Sequence, residues 1–137
     1  MLEIDKRAIS AAPPERVWEL LADARTWATW APFDESTVEE GAGVGELRRY
    51  RAGRRTTRER VTALEPPRRL AYELVSGIPI RDYSAEVTLH PVEGGGTEIH
   101  WHSTFRAKIP GTGRFAQGRL ARFIEQTATG LARAAEG

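Results

Sequence analysis

Tyr83-Ser84-Ala85-Glu86-Val87-Thr88-Leu89 and Ile99-His100-Trp101-His102-Ser103-Thr104-Phe105 are two runs in which apolar or small residues alternate with polar ones, and Gly94-Gly95-Gly96 stands between them. A period of two interrupted by glycine predicts an antiparallel hairpin with one buried and one wet face. After Ile109-Pro110-Gly111 the period changes to 3.6. Leu120, Phe123, Ile124, Thr127, Ala128, Leu131 and Ala135 then form one stripe, with Arg119, Arg122, Glu125, Gln126 and Arg133 largely off it. A half-buried sheet followed by one long amphipathic helix is the arrangement to extend in both directions.

Toward the N-terminus, alternation continues back to Ser36, with turn signals at Gly41–Gly45, Ala52-Gly53, Pro66-Pro67 and Gly77–Pro79. Six antiparallel strands follow from that spacing. Before them, Leu2 to Ser10 alternates loosely as a further strand, and Pro13-Pro14-Glu15 places a proline and an acid at a helix start. Val17, Trp18, Leu20, Leu21 and Ala24 carry that helix, and Asp23 is positioned to cap a second short one ending near Trp30. The predicted class is α+β: a curved seven-stranded antiparallel sheet wrapped on a long C-terminal helix, with two short helices after the first strand. The chain of 137 residues suits one domain spanning 1–137.

Composition removes several kinds of chemistry. With no cysteine there is no disulfide framework, thiolate nucleophile or cysteine-ligated metal. No apolar run approaches the roughly 20 residues that cross a bilayer, and MLEIDKRAIS lacks the continuous apolar core of a signal peptide. A cytoplasmic protein without membrane insertion is expected.

Ala11-Ala-Pro-Pro-Glu-Arg-Val-Trp18, Leu20-Leu-Ala-Asp23 and Trp27-Ala-Thr-Trp30 resemble the opening of the START-like, or SRPBCC, superfamily of polyketide cyclase/dehydrase and lipid-transport proteins. Val44-Gly45-Glu-Leu-Arg48, Arg58-Glu59-Arg60-Val61, Leu70-Ala-Tyr72, Gly77-Ile-Pro-Ile-Arg-Asp-Tyr83, Gly96-Thr97 with Trp101, and Gly130-Leu131 are similar to later positions of that pattern. The resemblance implies a helix-grip fold and an internal cavity for a hydrophobic small molecule of polyketide, lipid or aromatic type. It leaves open a cyclase, aromatase or dehydratase acting without a cofactor, or a non-catalytic carrier.

Strand parity places a mouth. Alternate turns of a meander lie at opposite ends of its sheet, so Ala52-Gly53, Gly77–Ile80 and Ala107–Gly113 share one end with Trp30–Phe33. These loops are the apolar ones, which suggests ligand entry. Candidate ligand-binding residues are Trp30, Phe33, Ile78 and Ile80 at the mouth, Arg48, Tyr72, Trp101 and Ser103 on the concave face, and Phe115, Leu120 and Phe123 on the helix. Glu59 alternates with Thr57 and Val61, and Tyr83 with Ala85 and Val87, so both point inward as the candidate acid/base pair. Arg48 and Tyr72 are the expected positioning donors.

Three other signals carry less chemistry. Gly41-Ala-Gly43-Val-Gly45 precedes a strand, which makes it a hairpin turn and not a phosphate loop. His90, His100 and His102, with Glu86 and Glu98, fall on the wet face, where nothing orients them as ligands, so no metal is expected. Arg48 to Arg60 holds seven arginines and one acid, against four basic and ten acidic side chains in residues 1–47. Only Tyr50 interleaves an aromatic there, so pairing with Glu35, Glu39 and Glu40 is expected, and nucleic-acid binding is not. An acidic carrier protein docking on this hairpin is the alternative macromolecular partner, and a homodimer is also left open.

Overall fold

A computed structural model describes residues 1–137. The strands are β1 (Leu2–Ser10), β2 (Glu35–Glu40), β3 (Leu47–Ala52), β4 (Arg55–Glu65), β5 (Arg69–Ser76), β6 (Ile80–Pro91) and β7 (Thr97–Ala107). They form one antiparallel sheet in the order β1-β7-β6-β5-β4-β3-β2. The chain is a meander from β2 to β7, and β1 adds to the far edge, as the turn signals require. Helix α1 (Pro14–Ala22) begins at the predicted proline, and a 3-10 turn (Ala24–Thr26) leads into α2 (Trp27–Trp30). The Asp23 carboxylate accepts from the Arg25 amide, which is the expected cap. Helix α3 (Gly113–Glu136) closes the fold.

Alternation fixes the core. Tyr83, Ala85, Val87 and Leu89 of β6, and Ile99, Trp101, Ser103 and Phe105 of β7, are all buried. Against them α3 buries Ile124, Thr127, Ala128 and Leu131, each large aliphatic side chain stabilising by about 1.5–3 kcal/mol. Helix α3 lies on β1 and β7, which leaves the concave side of β3, β4 and β5 to be covered by α2, Phe33 and the rings of the core.

Two local devices shape that side. At Gly130 a Cβ would collide with the Trp30 carbonyl oxygen, so glycine lets α3 seat directly on α2. In β6, one extra residue between Arg81 and Ser84 makes a bulge, with Asp82 in the left-handed region at φ 53°. The bulge turns both Ile80 and Tyr83 inward although they are three residues apart, which strict alternation forbids.

Candidate functional site on the concave face

Alternation along β4 sends Thr57, Glu59 and Val61 to the same side as Arg48 and Tyr50 of β3, because Arg48 pairs with Glu59 and Tyr50 with Thr57 in the ladder. Leu74 of β5 lies opposite Glu59, and Tyr72 lies opposite Val61. The concave face therefore gathers Arg48, Tyr50, Glu59, Tyr72, Tyr83, Trp101 and Ser103.

Trp27 forms the floor. Its ring centroid lies 4.8 Å from that of Trp30, 5.2 Å from Tyr50, 5.7 Å from Trp101 and 6.2 Å from Tyr72. Phe33 stacks on Tyr50 at 4.7 Å and meets Phe123 of α3 edge-on at 5.3 Å. The Trp101 indole N–H donates to the Tyr72 hydroxyl at 3.1 Å, so neither group is left unpaired. These contacts make the concave face aromatic.

Arg48 has a different task from the one its sequence suggested. The side chain is buried, and its Nε donates to Glu46 Oε2 at 2.6 Å. Nη2 donates to the Ala22 carbonyl at 2.6 Å and Nη1 to that of Leu21 at 3.4 Å. The guanidinium also lies over the Trp27 ring at 5.8 Å. Arg48 thus satisfies the orphan carbonyls at the end of α1. Three of its five N–H donors are used in these contacts, so its first task is to hold the end of α1.

Glu59 consequently stands alone. It forms no side-chain hydrogen bond or ion pair, and Arg48 acts on it only as a nearby charge. Desolvation dominates and pushes its carboxyl up to about 8. Accessible surface leaves Glu59 half-buried. Glu59 sits on β4, with β3 and β5 on either side of it in the sheet. Around it, Tyr50, Tyr72 and Tyr83 are each pushed upward, chiefly by desolvation and in part by Glu59, so all three remain hydroxyl donors. Two buried oxygens, Tyr50 Oη and Ser103 Oγ, make no hydrogen bond of good geometry, although Tyr50 lies near the Arg48 guanidinium and Ser103 near the Tyr83 hydroxyl. Buried polar atoms are normally satisfied, so loosely bonded hydroxyls on the face that carries an unpaired carboxyl have bonding capacity to spare.

The expected mouth residues meet at one end. The Asp34 carboxylate accepts from the Gly53 amide, and Arg55 donates to the Gly77 carbonyl, tying three of the loops together. Gly77, at φ 114°, packs so closely on Thr56 and Thr57 that no side chain fits. Ile80 and Trp30 are buried, and Phe33, Ile78, Leu120 and Phe123 pack partly buried against the core. Phe115 is the exception: it stands 69% exposed on the outer side of α3, under the Arg119 guanidinium. Nine residues separate Phe115 from buried Ile124, which at about 100° per residue is half a turn, so helical phase already put it outside.

Sequence reasoning passed over Tyr50, taken as the one aromatic of a basic surface segment. The structure buries it, and its place two residues from Arg48 on an alternating strand was the available signal. Elsewhere in that segment, Arg51 pairs with Glu35 and Asp34, and Arg58 pairs with Glu39. Glu40, the third expected acid, takes no part in an ion pair. On the convex face, His100 bonds Asp5 at 2.9 Å, His102 lies 3.6 Å from Glu3 and His90 meets Thr88. His100 and His102 keep separate acidic partners, with their ring centroids 6.4 Å apart.

A family model described as polyketide cyclase / dehydrase and lipid transport matches residues 1–136. Among solved structures, the XoxI protein of Bacillus cereus superposes with a TM-score of 0.86 at 19% identity, over 98% of this chain and 95% of that one. The Zhui aromatase/cyclase of Streptomyces sp. R1128 does so with 0.81 at 20% identity, over 98% and 93%. A START superfamily protein of Mycobacterium smegmatis gives 0.83 at 15% identity, over 98% and 97%. No curated protein matches the chain. At such identities the superpositions establish the helix-grip fold, and the family match over nearly every residue adds descent. The chain belongs to the polyketide cyclase/dehydrase and lipid transport family.

Proposed function

We propose that the concave face binds an apolar, oxygen-bearing small molecule of polyketide or aromatic-ketone type and that Glu59 exchanges a proton with it. The observation that carries this reading is the unpaired, desolvated Glu59 carboxyl on a face lined by the hydroxyls of Tyr50, Tyr72 and Tyr83. A lipid carrier needs an apolar hollow but no titratable group inside it. A group whose proton affinity is raised toward neutral pH suits acid/base work on a ketone. The Zhui protein, an aromatase/cyclase by name, supports the same chemical class.

The reaction class is enolisation with dehydration. The Glu59 carboxylate removes the proton α to a carbonyl, and the electron pair moves onto the carbonyl oxygen. A tyrosine hydroxyl, for which Tyr83 on the inward side of the β6 bulge is the candidate, donates a hydrogen bond to that oxygen. The proton now on Glu59 passes to a β-hydroxyl, which leaves as water while the carbon–carbon double bond forms, and Glu59 returns to carboxylate. One group serves as base and then acid, and no cofactor enters. Tyr72 and Trp101 hold each other in place behind the site, and Trp30, Phe33, Ile78, Ile80, Leu120 and Phe123 supply its apolar entrance.

Native mass spectrometry of freshly purified protein, with identification of any bound molecule, tests the ligand class. For the chemistry, 1-tetralone in D2O serves as an enolisable aromatic probe. Wild type accelerates deuteration at its α carbon, and Glu59→Gln abolishes the acceleration while retaining affinity. Equal acceleration by the two proteins would overturn the proposal.

A further inference from the structure

Residues 106–122 contain Arg106, Lys108, Arg114, Arg119 and Arg122 and no acidic residue at all. The remaining 120 residues hold fifteen basic and nineteen acidic side chains, so this end of the molecule is positive and the rest is net negative. Arg106 reaches Asp82 at 3.5 Å, but Lys108, Arg114, Arg119 and Arg122 have no carboxylate partner. Among these free cations stand two bare apolar side chains, Ile109 at 54% and Phe115 at 69% exposure.

The two lie on one stretch of surface. Ile109 sits on the turn entering α3, where its carbonyl accepts from both the amide and the hydroxyl of Thr112. Phe115 follows on the first turn of the helix. An open groove of about 650 Å³ then runs between Phe115 and Phe123, bounded by Arg114, Arg119 and Arg122. Phe123 forms one wall of that groove and also meets Phe33 inside, which stacks on Tyr50. The surface groove and the concave face therefore share a wall.

We infer that this end of the molecule docks on the surface of an anionic lipid bilayer, with Ile109 and Phe115 entering the headgroup layer and the free arginines and lysine meeting lipid phosphates. Several features favour a bilayer over an acidic protein. Ile109 and Phe115 protrude, and the four cations nearest them, Lys108, Arg114, Arg119 and Arg122, carry no carboxylate partner, acids coming only at the border in Asp82 and Glu125. The imbalance between this end and the rest of the chain orients the molecule toward a negative surface. No helix is long and apolar enough to cross a membrane, so the attachment is peripheral. Docking places the shared Phe123 wall at the lipid boundary, where an amphiphilic ligand would enter. It goes beyond the role proposed for Glu59 and stands without it.

Co-sedimentation with phosphatidylcholine vesicles containing 30 mol% phosphatidylglycerol, against pure phosphatidylcholine vesicles, tests this. Wild type binds the anionic vesicles and not the neutral ones, and binding weakens with salt. Arg119→Glu with Arg122→Glu lowers the partition coefficient at least about 25-fold, at roughly fivefold or more for each cation. Ile109→Ser with Phe115→Ser, exposed positions whose change leaves the melting temperature unaltered, lowers it about tenfold or more. Equal binding to the two vesicle types would overturn the inference. So would unchanged vesicle binding by the double serine variant, particularly if soluble polyglutamate displaces both proteins alike, because that describes a general polyanion surface.

Discussion

Glu59 and Arg48 face one another across the β3–β4 ladder, yet the arginine turns to Glu46 and to the end of α1 and leaves the carboxyl unpaired. A buried arginine opposite a half-buried glutamate would ordinarily hold that acid ionised. Here the helix end competes for the guanidinium and wins, since two carbonyls and a second carboxylate satisfy more of its donors than Glu59 could. The acid left behind is desolvated and easily protonated, which is the property the proposed chemistry uses.

That property has a stability signature. An acid with its folded-state pKa raised from 4.5 to about 8 favours folding fully below about pH 4.5, and this contribution is lost as pH rises toward 8. The loss amounts to at most about 1.4 kcal/mol per pH unit in that window. Glu59→Gln, which cannot ionise, is therefore expected to melt higher than wild type at pH 8, with the difference shrinking at pH 5. Scanning calorimetry at the two pH values checks the sign.

The same ionisation governs rate. Because the carboxylate is the base, kcat/KM for 1-tetralone deuteration rises with pH through about 8 and then levels. A profile flat from pH 6 to 9 would assign the proton transfer elsewhere.

Removing Arg48 tests its work at the helix end. Arg48→Met leaves Glu46 without its cation and the Ala22 carbonyl without its donor, while Leu21 keeps the Trp27 indole N–H, a loss of about 3 kcal/mol. Adding Glu46→Gln to Arg48→Met should recover part of it, and urea denaturation of the single and double variants measures the coupling.

Gly130→Ala probes the contact between α3 and α2. The added methyl meets the Trp30 carbonyl oxygen, so α3 must lift from α2, costing about 2 kcal/mol or more where alanine would otherwise favour the helix. An unchanged or raised melting temperature would mean that the helices part without cost.

What the sequence made legible was what depends on period. Alternation in residues 83–89 and 99–105 told which side chains are buried, and the same rule sent Glu59 and Tyr83 inward. Asp23 announced its cap because that interaction spans only two residues. The fate of Arg48 was not legible: its carbonyl partners lie 26 and 27 residues away, and nothing local says that a helix end will arrive there. The bulge at Asp82 was hidden for a similar reason, since it takes two strands to show that one has a residue too many. The aromatic cluster of the concave face depended on Trp27 and Tyr50, whose rings meet only after β3 is paired and α2 is in place.

A carbon-13 titration of the Glu59 side-chain carboxyl, assigned by its absence in Glu59→Gln, tests the central claim most directly. The account predicts a midpoint near 8, set by desolvation on the concave face. A midpoint in the ordinary carboxylate range near 4.5 would contradict it, because Glu59 would then be a solvated or ion-paired surface group.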